Sequence, residues 1–125
     1  MDELTIPYLR PERAGWQYPF GSLRRSGAIV CMGSDWSVSS ANPLLEIEVA
    51  VRRVGAADRD AQPFHPGERL DLPAALEAFT IGAAYVNHLD DATGSLEVGK
   101  EADPWSSTAT SSLRTQDGPG TPGCC

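Results

Sequence analysis

The residues with the best potential for chemistry follow one short apolar run in the first third of the chain. Residues 28–32 are continuously apolar, and Gly33, Ser34, Asp35 and Trp36 come directly after them. Such a run is typical of a strand buried on both faces of a parallel sheet, where ligands bind beyond the carboxyl ends of the strands. Asp35 is therefore a candidate for proton transfer or metal binding. From the local pattern alone, however, the favoured interpretation is that the side chain of Asp35 or Ser34 only caps a turn.

Histidines and cysteines elsewhere in the chain have simpler explanations. His65 lies in a polar loop between two prolines and is expected to be a solvated side chain. His88 suits the last turn of a helix, where a cation interacts well with the helix dipole. Cys31 lies in the apolar run and is expected to be a buried thiol, while the adjacent Cys124 and Cys125 lack the spaced partners of a zinc site. Asp35 is therefore the remaining candidate for a catalytic group.

Helices are predicted on both sides of the apolar run. Phe20 and Leu23 precede two arginines and then Gly27, which is typical of a short helix and its end. Asn42 and Pro43 could begin another helix, although residues 45–51 alternate between apolar and other side chains as in a strand. The local pattern alone leaves those two interpretations open.

The strongest helical pattern begins at Asp71. Apolar residues then recur at steps of four and three, which places them on one face of a helix: Leu72, Leu76, Phe79, Ala83 and Val86. Pro73 is tolerated in the first turn, and Gly94 belongs to the turn that follows. We expect the apolar face of this helix to be buried.

The composition limits the classes of protein. The chain has 125 residues, of which 41% are hydrophobic, and a complete (β/α)₈ barrel needs about 250. Ten basic against 17 acidic residues give a net charge of −7, which disfavours nucleic acid and anionic membrane surfaces as partners. No apolar stretch approaches a membrane span, and the acidic start does not resemble a signal peptide, so we expect a cytoplasmic protein.

Several motifs occur together in a particular order. The segments are Gln17-Tyr18-Pro19-Phe20, Gly33-Ser34-Asp35-Trp36, Asn42-Pro43-Leu44, Arg52-Arg53, the run over residues 76–85, and the glycine-lysine motif over residues 94–103. In this order they resemble the C-terminal end of the amidohydrolase superfamily. The similarity is greatest to the family-3 branch, which includes N-substituted formamide deformylase-like enzymes, and it covers nearly all of residues 7–103.

The resemblance implies a fold and a reaction. The fold would be α/β, with residues 1–103 forming the C-terminal segment of a (β/α)₈ barrel: the last barrel strand and the helices after it. The reaction would be hydrolysis of carbon–nitrogen bonds in small amide-like substrates by water that a divalent metal, zinc in our expectation, activates. Asp35 would be the carboxylate after the eighth strand, as a metal ligand or proton acceptor, and Trp36 would contact substrate. The resemblance also favours a helix over residues 45–53.

The chain departs from the family in two ways. Ser37 replaces a proline, and the chain has no His-x-His motif upstream of the apolar run to supply the other metal ligands. We therefore expect a fragment that neither binds the metal well nor catalyses the reaction alone. The alternative is a non-catalytic interaction module, or one half of a split hydrolase that associates with a complementary chain.

Residues 104–125 differ from the rest of the sequence. Eight of these 22 residues are Ser or Thr and six are Gly or Pro, so we expect a disordered tail. Shifting the reading frame of a back-translated Trp-Ser-Ser-Thr-Ala-Thr-Ser gives codons for Val, Leu, Asp and Arg, close to the family's next strand. We hypothesise a frameshift near residue 104. The nucleotide sequence tests it: an alternate frame with immediate stops, or with no family-like strand, contradicts the hypothesis.

Overall fold

The computed structural model describes residues 5–101 and residue 104. These residues form short helices without a β-strand: α1 (Pro11–Ala14), α2 (Phe20–Arg25), α3 (Pro43–Arg52), α4 (Leu72–Phe79) and α5 (Ile81–Val86), with 3-10 turns at Ile6–Tyr8 and Pro66–Glu68. The tail predicted to be disordered lies, apart from residue 104, outside the described residues. Disorder and a frameshift there stay predictions.

Helix α3 forms where the local pattern was ambiguous. The side chain of Asn42 accepts a hydrogen bond from the Leu44 N–H at 3.1 Å, and Pro43 occupies the first turn. The N-cap and the proline outweigh the strand-like alternation of residues 45–51, because an N-cap and a proline with a fixed φ both favour the start of a helix. The helix ends at Arg52, and the residue that follows, Arg53, has a φ of 59° in the left-handed region.

The predicted helix after Asp71 is present in two pieces. The Asp71 carboxylate accepts a hydrogen bond from the Ala74 N–H at 2.7 Å and caps α4. At Thr80 the backbone leaves helical geometry, with φ −113° and ψ −94°, before α5 begins. The Thr80 hydroxyl donates to the Leu76 carbonyl at 2.8 Å, which satisfies a carbonyl near the end of α4.

The predicted apolar face of this helix is buried only in part, since Leu72 and Phe79 pack against the core. Leu76 and Val86 are 41% and 55% exposed, whereas the buried residues of α4 are Ala74, Ala75 and Ala78. The physical reason is the close approach of neighbouring backbone, which small side chains permit and leucine would prevent.

The core lies between α3 and α4. Its buried members are Ile47, Ala50, Val51, Leu70, Ala74 and Ala75, and partly buried side chains surround them. The Leu70 N–H donates to the Ala50 carbonyl at 3.1 Å, which ties the start of the α4 segment to α3. Burial of these apolar side chains away from water makes the largest contribution to the stability of the fold.

The predicted strand at residues 28–32 has no ladder partner among the described residues. Instead the Met32 N–H donates to the Ala78 carbonyl at 3.0 Å, so this segment packs on the end of α4. Cys31 is exposed, which corrects the expectation of a buried thiol. A parallel strand needs neighbouring strands for its backbone hydrogen bonds, and the described residues provide none.

Glu48 is the main buried charged group of α3. Its two carboxylate oxygens each accept a hydrogen bond at 2.8 Å, one from Arg52 and one from Arg59. Burial raises the pKa of Glu48, but these hydrogen bonds and the two positive charges outweigh it, so the pKa is lowered. The group therefore links α3 to the loop that follows it.

A second carboxylate joins α2 to the 3-10 turn at Pro66–Glu68. Glu68 accepts hydrogen bonds at 2.7 Å from both the hydroxyl and the N–H of Ser22, and Arg25 lies 3.4 Å away. The hydrogen bonds from Ser22 are the main reason why the pKa of Glu68 is lowered. Gly21 permits this contact, since a Cβ there would lie 3.0 Å from the Glu68 Cα.

Replacing Glu48 with glutamine is expected to lower the free energy of unfolding at neutral pH by about 1–2 kcal/mol, because hydrogen bonds to a charged acceptor are lost. A carboxyl whose pKa is lowered on folding contributes stability above its unfolded pKa, and that contribution disappears as the pH falls through the folded value. Urea unfolding at neutral and acidic pH measures both effects. The difference between native and Glu48→Gln should shrink in acid.

The matched control is Glu77→Gln. Glu77 pairs with Arg24 at 2.6 Å, but both side chains are well exposed, so the cost should stay below about 1 kcal/mol. Equal costs for the two substitutions would contradict the role assigned to the buried carboxylate.

Gly82→Ala is expected to destabilise the fold by about 1–3 kcal/mol, although alanine favours a helix. A Cβ at Gly82 would lie 2.6 Å from the Val30 carbonyl oxygen, so residues 28–32 would have to move away from α5. Gly15→Ala is the control, because the nearest atoms to its Cβ lie at an ordinary 3.5 Å. Thermal unfolding of both variants checks this; a more stable Gly82→Ala protein would show that the segment does not pack there.

Candidate functional site

Asp35 lies in a tight loop directly after residues 28–32. Its φ of 53° is left-handed, a conformation that aspartate adopts more readily than most residues. Its carbonyl accepts hydrogen bonds from the N–H groups of Val38 at 2.7 Å and Ser39 at 3.2 Å. The Ser39 hydroxyl donates to the Ser34 carbonyl, which closes the loop from its other side. The backbone of Asp35 is thus fixed by the loop.

The side chains at this loop face solvent. Asp35 is exposed and Trp36 is 71% exposed. Among residues 5–101 and 104, no group of three or more His, Cys, Asp or Glu side chains is arranged to hold a metal ion. A catalytic zinc site needs three protein ligands, so the described residues do not form one by themselves.

The glycine-lysine motif over residues 94–100 forms a closed turn. The Lys100 ammonium donates to the Asp90 carbonyl at 2.5 Å and to the Ser95 hydroxyl at 2.8 Å, and Glu97 lies 3.7 Å away. Gly94 has a φ of 89°, and a Cβ on it would lie 2.7 Å from the Cβ of Ala84 on α5. These contacts give the motif a structural role within the chain.

Neither histidine belongs to a metal-ligand cluster in the described part of the chain. His65 is half-buried rather than solvated: its Nε2 hydrogen-bonds the Ala14 carbonyl at 2.8 Å, and its ring lies 4.1 Å from that of Phe64. His88 is exposed just beyond α5. The proline-flanked loop packs on α1, which the sequence pattern did not predict.

A cavity of about 660 Å³ lies beside the core, and sequence reasoning did not predict it. Its lining combines apolar and aromatic residues with a few polar groups: Tyr18, Phe20, Cys31, Met32, Gly33, Glu46, Val49, Ala50, Arg53, Val54, Gly55, Asp58, Ala61, Gln62, Phe64 and Phe79. Its volume falls in the range of small-molecule sites. Gly33 lies on its wall, so the cavity begins two residues before Asp35.

Arg53 is the unusual group in this cavity. It is only 6% exposed, its Nε donates to the Phe64 carbonyl at 2.9 Å, and its guanidinium carbon lies 5.8 Å from the Phe64 ring centre. Its Nη2 is buried without a hydrogen-bond partner. Burial lowers the pKa of Arg53, while the charge of Glu68 and the phenol of Tyr18 raise it. No sequence signal marks Arg53 as buried beside the exposed arginines of the chain.

Comparisons with known proteins identify the family. A family model described as "Amidohydrolase family" matches residues 1–103, and the chain belongs to this family. The chain is 43% identical over 86 residues to Protein LONG AFTER FAR-RED 3 of Arabidopsis thaliana, which covers 69% of this chain and 14% of the relative. It is 26% identical over 99 residues to Putative amidohydrolase YtcJ of Bacillus subtilis (strain 168), which covers 79% of this chain and 19% of the relative.

The resemblance to the amidohydrolase superfamily is confirmed at this level, together with a relationship to hydrolases. The chain spans less than a fifth of the length of these two relatives. No solved structure is significantly similar to it. In the described residues, no helix is both long enough and apolar enough to cross a membrane.

Proposed function

We propose that this chain serves as the C-terminal barrel segment of a carbon–nitrogen hydrolase and supplies Asp35 to an active site that a complementary segment completes. The observation that carries the proposal is the match of the family over residues 1–103 combined with an exposed Asp35 on a fixed loop. A small amide-like substrate, such as an N-substituted formamide, is the substrate class that the resemblance implies.

The role of Asp35 follows from its chemistry and position. A carboxylate can accept a proton from an attacking water and return it to the leaving nitrogen. The hydrogen bonds from Val38 and Ser39 use the backbone carbonyl of Asp35, which leaves the side chain available for this proton transfer. Trp36, the next residue, offers an exposed ring against which the apolar part of a substrate could pack.

Exposed apolar side chains support the proposed association with a complementary segment. Large exposed side chains occur on residues 28–32 and on or beside α4 and α5, namely Ile29, Leu76, Tyr85, Val86 and Leu89. Scattered exposed apolar residues are ordinary, but several on neighbouring elements favour association. Residues 28–32, which have no strand partner in the described structure, would also gain hydrogen bonds from an added strand.

The described residues do not fit a complete metal site, so in this proposal the divalent metal, zinc by the resemblance, is held mainly by the complementary segment. The chain's own contribution is the carboxylate of Asp35 on its loop. The second candidate, a non-catalytic interaction module, would use the same exposed surface without any role for Asp35.

Complementation tests the proposal. The purified chain is mixed with a zinc-loaded amidohydrolase of the family from which the matching segment has been deleted, and hydrolysis of an N-substituted formamide is measured. We expect the native chain to restore hydrolysis and Asp35→Asn to reduce the rate by about 10²–10⁴-fold, the range for losing general acid–base catalysis. Size-exclusion chromatography should show that both versions associate equally.

Asp91→Asn is the matched control, since Asp91 is exposed after α5 and has no proposed role. It should restore the same rate as the native chain. Association with equal rates for native and Asp35→Asn chains would contradict the catalytic role and favour the interaction module. Failure to associate would contradict the complementary segment itself.

A further inference from the structure

Among the described residues, the buried arginine of the cavity has one terminal nitrogen without a hydrogen-bond partner. The Nε of Arg53 is bonded to the Phe64 carbonyl, but Nη2 is buried without a partner. Arginine remains charged at neutral pH, and a buried cation with an unbonded N–H is costly. A native structure that keeps such a group favours an anion that can supply the missing acceptor.

Among the described residues, the carboxylate whose charge acts on Arg53 already accepts other hydrogen bonds. The charge of Glu68 acts on Arg53, yet both Glu68 oxygens accept hydrogen bonds from Ser22 at 2.7 Å. Arg25 also lies 3.4 Å from this carboxylate. Glu68 therefore offsets part of the charge on Arg53 without satisfying its N–H groups.

The rest of the cavity limits the kind of anion. Aromatic and aliphatic side chains, including Phe20, Phe79 and Val49, form much of its wall, which suits an apolar body. Two carboxylates, Glu46 and Asp58, also line it and would repel an anion of higher charge such as phosphate. A single carboxylate on an apolar or aromatic body meets both conditions.

We propose that this cavity binds a small organic monocarboxylate, with the carboxylate on the guanidinium of Arg53 and the apolar body against the aromatic wall. An arginine and a carboxylate form charge-assisted hydrogen bonds of well-defined planar geometry. The backbone of Arg53 is set by its left-handed position at the end of α3, and the Phe64 carbonyl holds its Nε. The side chain is therefore pre-organised for this contact. The proposal involves neither Asp35 nor a metal, so it stands independently of the hydrolase function.

The test is an NMR titration of the purified full chain with phenylacetate, with phenylacetamide and inorganic phosphate as matched probes. We expect saturable shifts of residues that line the cavity, and binding of neutral phenylacetamide at least about tenfold weaker. Phosphate should not compete. No saturable shift up to about 10 mM phenylacetate, equal binding of the amide, or effective competition by phosphate would each overturn the proposal.

Separate variants test the charge of Arg53 and the space in the cavity. Arg53→Gln should weaken phenylacetate binding at least about tenfold, while Arg69→Gln, which removes an exposed arginine, should bind like the native chain. Ala61→Trp, which adds a large ring to a half-buried loop position on the cavity wall, should block binding without touching Arg53. Native affinity in Arg53→Gln, or in a folded Ala61→Trp, would overturn the proposal. If Arg53→Gln does not fold, the probes and Ala61→Trp still decide it.

Discussion

The close packing of α3 on α4 through alanine side chains is the constraint on which the rest of the structure depends. Ala50 of α3 and Ala74 and Ala75 of α4 are all buried in one cluster, and the Leu70 N–H reaches the Ala50 carbonyl at 3.1 Å. Larger side chains at these positions would separate the helices, because a packed core does not tolerate added volume easily. The end of α4 then accepts the backbone of Met32, which leads to the Asp35 loop. The contact between α3 and α4 thus positions both candidate sites, the Asp35 loop and the cavity that contains Arg53.

The helix ends could be predicted from the sequence because their signals are local. Asn42 and Asp71 cap α3 and α4 with their own side chains, and a cap needs only the residues next to it. The local pattern left a helix and a strand open for residues 45–51. The family resemblance favoured the helix, and the structure confirms it as α3. Asp35 was selected from the family resemblance, because the local pattern of a carboxylate after an apolar run favours a turn cap, and its role stays a prediction.

What the sequence could not predict depends on residues far apart in the chain. The buried face of α4 is set by the approach of α3, so alanines are buried and Leu76 is exposed. The strand at residues 28–32 was predicted from apolarity, but a strand needs partners, and its exposed Cys31 reflects their absence from the described residues. Arg53 looks like any surface arginine in the sequence; its burial follows from the loop that brings Phe64 against it.

We propose that the described residues bring a catalytic carboxylate but not a metal site of their own. Metal analysis of the purified chain after incubation with zinc and removal of free ion tests it most directly, with Asp35→Asn treated in parallel. The account predicts far less than one zinc per chain and no difference between the two proteins. Stoichiometric zinc that is lost in Asp35→Asn, accompanied by amide hydrolysis, would contradict it.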